Sequence, residues 1–361
     1  MTKESENKNM ESASSDHEGG AIRVKKLTIT SIVAAIVLGC IILLYIFLPA
    51  IANKADNEAI IRIPTNATKE MVRDSIAKYL GDKYADKVLL MSKIRRSDLA
   101  GRNGAFLIEK GMTPYKAERR LFTGSQHTVN IVVNGARGID ILSQRLASRL
   151  DFPADSLKSY LKNPENLKEY SLTPDQALAL FIDDTYQVYW NATPKKVTDK
   201  IGAHYNKVWN DERKNKAASL GLTPAQVVIL ASIVDEETNK ADEKPNVARL
   251  YINRIHKGMK LQADPTVKFA LGDFSLRRIR NEHLQVESPY NTYKIDGLPP
   301  GPIRTVTVKD IDAVLNSPQH DYIYMCAKED FSGYHNFAKD YGTHMQNARR
   351  YQRALNQRNI K

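Results

Sequence analysis

The most prominent pattern along the chain is a long apolar run near the amino terminus. No charged residue occurs between Leu27 and Asn53. The run exceeds the roughly 20 residues that a helix needs to cross the hydrocarbon of a bilayer, and it predicts a transmembrane helix within residues 23–53. The alternative is a cleaved signal peptide, because Ala50-Ile51-Ala52 resembles a small-residue cleavage site.

The charges beside this run predict its orientation. Basic residues precede it directly, at Arg23, Lys25 and Lys26, whereas Lys54 on the far side is soon followed by Asp56. By the positive-inside rule the amino terminus lies in the cytosol and the chain after residue 53 lies outside. Residues 1–22 are polar without apolar periodicity and predict a disordered cytosolic tail. We therefore expect a single-pass protein of the cell (inner) membrane.

Short strands and helices alternate over residues 56–133. Residues 59–64 alternate as a strand does, and Thr68 can cap a helix with apolar residues at helical spacing. Thr113-Pro114 marks another helix start, and the strand-like residues 128–133 close the segment. The pattern predicts a small α+β module, which is either glycan-binding or a spacer.

The remainder, residues 134–361, is predicted to be a mostly helical domain with a few strands, so the exported part belongs to the α+β class. A strand-like run occupies residues 322–326. Apolar residues at helical spacing predict helices over 139–150, 154–161, 195–215, 224–237, 246–256, 308–316 and 342–357.

The helix over 224–237 is the most informative. Thr223 and Gln226 form a capping-box pattern around a proline in the first turn. Residues 227–234 are apolar around nearly the whole circumference, which is typical of a central buried helix. Three carboxylates end this helix, at Asp235, Glu236 and Glu237.

Carboxyl groups at this helix end have several reasons to stay protonated. Burial, the carboxyl end of a helix and neighbouring acids all oppose ionisation and so raise a carboxyl pKa. A carboxylic acid that is still protonated near neutrality can donate its proton to a glycosidic oxygen. A second interpretation is that the three acids only solvate a helix end.

The segments after this helix carry side chains that suit a sugar. Sugars offer hydroxyls in the ring plane and apolar faces above it, and amides, hydroxyls and aromatic rings bind both. Such residues cluster in 262–266, 288–293 and 334–337. They predict a sugar-binding groove, and the glycine-proline run 297–303 predicts a rigid wall beside it.

The formal net charge of +12 at pH 7 favours an anionic partner. No zinc-type Cys/His spacing, RNA-binding strand motif or distinct helix-turn-helix supports nucleic acid. An anionic polymer or membrane surface is therefore the better interpretation. No P-loop, dinucleotide fingerprint, Gly-x-Ser-x-Gly or His-Glu-x-x-His motif occurs. We predict no metal site and no cofactor, and we interpret His335 as a structural histidine.

Five segments of the exported chain, in sequence and in order, resemble the YceG-like (MltG-like) endolytic murein transglycosylases. The resemblance covers most of the exported chain and is carried by residues 230–238, 247–254, 258–267, 290–293 and 297–303. It implies that residues 56–133 form a LysM-like module and residues 134–361 a YceG-like catalytic domain.

The resemblance implies cleavage of the MurNAc-GlcNAc bond within peptidoglycan strands, without hydrolysis. Glu237 gives its proton to the bridging oxygen and takes one from the muramoyl 6-hydroxyl, which leaves a 1,6-anhydromuramoyl end. One carboxyl then suffices where hydrolases use two. The residues implied to position the glycan are Gln262, Asp264, Tyr290, Asn291 and Tyr293, with Asn253 in support. A hydrogen bond within a loop is the alternative role for each.

The implied biological role is to terminate glycan elongation on nascent strands, with peptidoglycan, the inner membrane and peptidoglycan synthases as partners. Two alternatives stay open, a muramidase-type hydrolase and a non-catalytic peptidoglycan-binding membrane anchor. The sequence departs from the family pattern in residues 178–183 and in Arg304-Thr305-Val306, but not around Glu237.

Overall fold

The computed structural model describes residues 29–45, 54–276 and 278–358. The chain divides into two compact units, Met1–His127 and Thr128–Lys361. The described part contains three separate two-stranded sheets, and most of its other residues lie in helices. The predicted α+β class, mostly helical with small sheets, is confirmed.

The first unit begins, in its described part, with the apolar helix α1 (Ile29–Tyr45), whose large apolar side chains are exposed. The other residues of the predicted 23–53 span, and the predicted tail 1–22, lie outside the described residues. Among the described helices, no single one has both the length and the hydropathy for a membrane crossing. The helices Asp211–Ser219 and Pro224–Glu237 reach them only together, with a bend of 75° between them.

The rest of the first unit is built around one strand pair. Its elements are β1 (Ala59–Ile63), α2 (Lys69–Leu80), α3 (Asp82–Arg95), β2 (Gly104–Ile108) and α4 (Pro114–Thr123). Strands β1 and β2 pair antiparallel, with Ala59 opposite Ile108. Alternate residues of β1, including Ile61, are buried in one core with Val72 of α2 and Val88 of α3. Thr68 caps α2 as predicted, since its hydroxyl accepts from the Met71 N–H.

Strand β3 (Thr128–Val133) corrects the predicted boundary of the small module. It pairs antiparallel with β4 (Asp184–Tyr189), which lies in the second unit. Ile131 of β3 and Val188 of β4 share the core of that unit. The prediction that residues 128–133 close the first module was therefore wrong, because the local pattern of a strand reveals its buried face but not its partner.

The second unit carries the remaining helices around one large core. The helices are α5 (Ile139–Ala147), α6 (Ala154–Lys162), α7 (Pro194–Val208), α8 (Asp211–Ser219), α9 (Pro224–Glu237), α10 (Lys244–His256), α11 (Asp264–Leu271), α12 (Val308–Leu315) and α13 (Tyr341–Gln357). Short 3₁₀ segments lie at Pro164–Asn166, Lys168–Tyr170, Pro174–Leu180 and His283–Gln285. The antiparallel hairpin of β5 (Tyr324–Ala327) and β6 (His335–Ala338) precedes α13.

The helices of this unit differ from the prediction in two places. The predicted single helix over 195–215 is two helices, α7 and α8, because Asn210 caps a new start by accepting from the Arg213 N–H at 2.9 Å. The residue before it, Trp209, is only 2% exposed, so the break is held in the core. Helix α11 was not predicted, because its sequence was interpreted as part of a loop.

Helix α9 is the buried centre that its pattern predicts. Thr223 and Gln226 complete the capping box, and residues 227–234 are all buried. The Ser232 hydroxyl accepts from the Ile303 N–H at 3.1 Å and so fastens the glycine-proline run to the helix. A Cβ on Gly301 would lie 2.0 Å from the Asp175 carbonyl oxygen, so only glycine fits there. The run is thus packed closely against α9 and the Asp175 backbone.

Candidate active site

Glu237 is the last residue of α9, and it lines a cavity of about 410 Å³. Helix α10, the start of α11, the hairpin β5–β6 and the first turn of α13 form the walls. The lining residues are Glu237, Leu250, Tyr251, Arg254, Leu261, Gln262, Asp264, Tyr293, Tyr324, Met325, Cys326, Ala327, His335, Tyr341 and His344. The carboxyl group thus lies in a cleft with polar and aromatic walls.

The surroundings of Glu237 favour its protonated form. Burial raises the pKa of its carboxyl to about 7, and the nearby carboxylates of Asp264 and Glu236 act in the same direction. Two groups oppose the rise, the hydrogen bond from Tyr251 and the charge of Lys268. The Tyr251 hydroxyl donates to Oε1 of Glu237 at 2.8 Å. A carboxyl with a pKa near 7 is present in both forms at neutral pH, as one group that both gives and takes a proton requires.

The two acids before Glu237 are paired with cations. Asp235 is 2.5 Å from the Lys244 ammonium and 2.9 Å from the Arg304 guanidinium. Glu236 accepts from Arg137 at 2.7 Å and from the same Arg304 at 2.8 Å. Arg304 is one of the departures from the family pattern, and the structure gives it a role, since it holds both carboxylates. The three acids that looked alike in the sequence are thus in different environments.

Three of the predicted glycan-positioning residues share the cavity with Glu237. They are Gln262, Asp264 and Tyr293. The Tyr293 hydroxyl donates to Asp264 at 2.7 Å. Gln262 has a left-handed backbone, with φ of 54°, and its Oε1 accepts from Arg254 at 2.6 Å. Its amide nitrogen is the group left for a ligand.

The other three predicted residues lie outside the lining of this cavity as the structure describes it. The Asn291 amide donates to the carbonyls of Leu284 and Val286 and is fully buried. The Asn253 amide donates to the carbonyls of His320 and Tyr322. Tyr290 packs on another ring, with its centroid 4.7 Å from that of Phe269. In this arrangement all three fasten loops around the cavity.

Several lining residues had no predicted role. Tyr251 and Arg254 stood within the motif segments, four and seven residues after Val247, without an assigned function. The aromatic residues Tyr324, Tyr341 and His344 also line the cavity, and the ring centroids of Tyr324 and His344 stack 5.1 Å apart. Their only sequence signal was the density of aromatic residues near the carboxyl terminus, which does not reveal which rings meet.

His335 also lines the cavity, and it makes the contacts expected of a structural histidine. Its Nδ1 lies 2.9 Å from Oε2 of Glu243, and its backbone N–H donates to Oε1 of the same carboxylate at 2.7 Å. Within the described residues, no group of three or more histidine, cysteine or acidic side chains is arranged to hold a metal ion.

Comparisons with known proteins address the family of this chain. The sequence profile of the YceG-like family matches residues 61–350. A Bacillus subtilis (strain 168) protein named endolytic murein transglycosylase is 34% identical over 126 residues, which are 35% of this chain and 34% of that protein. A protein of the same name from Streptococcus pneumoniae (strain D39) is 27% identical over 147 residues, 40% of this chain and 26% of the relative. The alignments thus span about a third of the first relative and about a quarter of the second.

The fold has a solved counterpart. The crystal structure of a yceG-like protein from Listeria monocytogenes superposes with a TM-score of 0.54 at 21% identity, over 80% of this chain and 98% of that one. At this identity the likeness concerns the fold alone. Since the family profile matches well over half of the sequence, from the first strand to the last helix, the chain belongs to the YceG-like family.

Proposed function

We propose that this protein is an endolytic peptidoglycan lytic transglycosylase, which cleaves the MurNAc-GlcNAc bond within glycan strands and leaves 1,6-anhydromuramoyl ends. The observation that carries the proposal is the carboxyl of Glu237, with a pKa raised to about 7, in a cavity with polar and aromatic walls. The name shared by the two relatives supports the same activity.

The hydrogen bond from Tyr251 defines how Glu237 acts. Because the phenol donates to Oε1, the acidic proton of the neutral carboxyl sits on Oε2. That proton passes to the bridging oxygen as the bond to the anomeric carbon breaks. The resulting carboxylate is stabilised by the Tyr251 hydroxyl, and it accepts the proton of the muramoyl 6-hydroxyl as that oxygen bonds to the anomeric carbon. Glu237 is then protonated again, and no water is consumed.

The cavity walls supply groups for holding a glycan. The Gln262 amide nitrogen and the Tyr293 hydroxyl, both at the cavity, suit sugar hydroxyls. The rings of Tyr324 and Tyr341, which also line the cavity, suit the apolar faces of sugar rings. Asn253, Tyr290 and Asn291 act in this proposal by holding the surrounding loops in place.

A muramidase-type hydrolase is the second candidate, and one observation favours it. Asp264 brings a second carboxyl to the same cavity, and hydrolases of glycosidic bonds use two. Its Oδ1 is occupied by the Tyr293 hydroxyl at 2.7 Å. A hydrolase leaves reducing ends, whereas the lytic reaction leaves anhydro ends, so the products separate the two.

We also propose the setting of this activity. The apolar helix α1 with its exposed side chains supports a single membrane anchor, with residues 1–22 in the cytosol and the catalytic unit outside the cytoplasm. The strand-helix-helix-strand order of β1, α2, α3 and β2 supports a LysM-like module. An enzyme anchored in this way acts on nascent strands near peptidoglycan synthases and so terminates glycan elongation.

The test is mass spectrometry of peptidoglycan digested by the full-length protein and by Glu237→Gln. We expect anhydro-ended fragments from the wild type and none from the variant. Reducing ends would favour the hydrolase. Binding to peptidoglycan without new chain ends would mean a non-catalytic anchor, and full activity of Glu237→Gln would refute the assigned residue.

A further inference from the structure

His335 occupies a place in the cavity that the proposed mechanism does not use. It is the first residue of β6, lines the cavity with Glu237, and its side chain is 16% exposed. The Glu243 carboxylate beside it is only 4% exposed. The imidazole is therefore held between a buried acid and a cavity that is open to a ligand.

The two contacts with Glu243 determine which ring nitrogen carries hydrogen. Glu243 accepts from the His335 backbone N–H through Oε1, at 2.7 Å, and meets Nδ1 through Oε2, at 2.9 Å. Because a carboxylate only accepts, Nδ1 is the donor. In the neutral ring Nε2 is then an acceptor. The described residues offer Nε2 no hydrogen-bond partner, so it is available to a donor in the cavity.

From this geometry we propose that His335 contacts the substrate, with Nε2 accepting a hydrogen bond from a sugar hydroxyl of the glycan bound beside Glu237. The proposal rests on the proposed lytic activity and adds a second contact residue to the same site. Glu243 acts through His335 and is a positioning residue, since it fixes the tautomer and the direction of the ring.

A purely structural role is the competing explanation, and the hairpin shows how it would work. The Tyr334 hydroxyl, next to His335, donates to both carboxylate oxygens of Asp242 at 3.1 Å, and the Lys240 ammonium lies 4.9 Å from the centroid of the same ring. The β5–β6 hairpin is thus attached to the segment between α9 and α10 without the imidazole. If His335 only strengthened this attachment, loss of its Nε2 would not change the activity.

Two amide substitutions separate the explanations. Asparagine places its amide near the position of Nδ1, so His335→Asn keeps a donor for Glu243 but loses the group that reaches the cavity. Glutamine places its amide near Nε2, so His335→Gln keeps that reach and loses the bond to Glu243. Tyr334→Phe is the matched control, because it weakens the hairpin attachment and leaves His335 intact.

The full-length variants are assayed for release of anhydro-ended fragments from uncrosslinked glycan strands, with kcat and KM determined separately and thermal unfolding measured for each. We expect His335→Asn to unfold at the wild-type temperature and to lose about tenfold in kcat/KM, as loss of one hydrogen bond implies. His335→Gln should recover part of that loss, and Tyr334→Phe should keep the wild-type rate.

Wild-type activity in His335→Asn would overturn the proposal, as would an equal loss in Tyr334→Phe, since loosening the hairpin would then suffice. Should His335→Asn unfold early, the comparison of His335→Gln with Tyr334→Phe still decides, because the proposal requires His335→Gln to be the less active of the two at equal stability, and equal activity would overturn it. Failure of the proposed function is a different result, in which the wild type itself releases no anhydro ends.

Discussion

Asp235 and Glu236 meet three cations at the carboxyl end of α9, whereas Glu237, the next residue, faces the cavity with a neutral phenol as its hydrogen-bond partner. The first two carboxylates are held in ion pairs, and the third has a pKa raised to about 7 by burial. Neither residue type nor position at a helix end therefore sets the protonation of a carboxyl. Desolvation and charged partners do.

The largest expected effect is the loss of activity when the carboxyl in the cavity is replaced. Glu237→Gln removes the proton donor and acceptor, and we expect the rate of anhydro-end release to fall by about 10²–10⁴-fold. The matched control is Glu165→Gln, an exposed carboxylate of the same unit, which should keep the wild-type rate. A variant that retained a tenth of the wild-type rate would contradict the assignment.

The same substitution is expected to change how stability depends on pH. The Glu237 carboxyl has an ordinary pKa of 4.5 and a folded pKa of about 7, so the folded state binds more protons in that window and stability falls as pH rises through it. The difference corresponds to about 3 kcal/mol. Glu237→Gln should therefore be more stable than the wild type at pH 8 and no more stable at pH 4, by denaturant unfolding. Equal pH slopes in the two proteins would show that the carboxyl is not desolvated.

A smaller effect, on stability, is expected when the ion pairs of Asp235 and Glu236 are weakened. Arg304→Met keeps much of the side-chain volume and removes a cation that Asp235 and Glu236 share. Since Arg137 and Lys244 remain, we expect a loss of about 2 kcal/mol in the free energy of unfolding, below that for a fully buried pair. Lys195→Met, which removes an exposed pair with Asp199, is the control and should cost clearly less than Arg304→Met. Similar losses in the two variants would mean that the network adds no more than a surface pair.

The smallest expected effect is a shift of the pH profile when the hydrogen-bond partner of Glu237 is changed. Tyr251→Phe removes the hydrogen bond that lowers the pKa of Glu237. The carboxyl then stays protonated to higher pH, and the falling limb of the kcat/KM profile should move upward by about one pH unit or less. Tyr84→Phe, which loses a buried hydrogen bond to the Met112 carbonyl in the first unit, should leave the limb in place. A downward shift in Tyr251→Phe would contradict the proposed orientation of the phenol.

Much of the fold could be predicted because its signals are local. The cap at Thr223, the proline behind it and the apolar residues 227–234 define α9 without any tertiary information. One of the predictions that failed depended on a distant partner, and another depended on a local signal with two interpretations. The strand β3 has a clear pattern, but its partner β4 begins only at Asp184, far along the chain from Val133 at the end of β3. Asn210 began a new helix inside a continuous helical pattern, since a capping side chain is also an ordinary polar residue within a helix.

The candidate site divides in the same way. The sequence placed Glu237, Gln262, Asp264 and Tyr293 near one another through their ordered motifs, and the structure brings all four to one cavity. It did not reveal that the amide of Asn291 donates to backbone carbonyls, or that the stacked rings of Tyr324 and His344 line the same cavity. Such contacts arise between segments far apart in the chain.

By itself, the sequence determined that a buried helix ends in three acids, and the resemblance of its motifs to those of the YceG-like family singled out Glu237 among them. Only the tertiary structure decided that Asp235 and Glu236 are neutralised by Arg137, Lys244 and Arg304 while Glu237 is not. The physical reason is that a side chain's charge state depends on the water it loses and the ions it meets. The fold, not the order of residues in the chain, brings to the end of α9 the groups that exclude water and the cations that pair with the carboxylates.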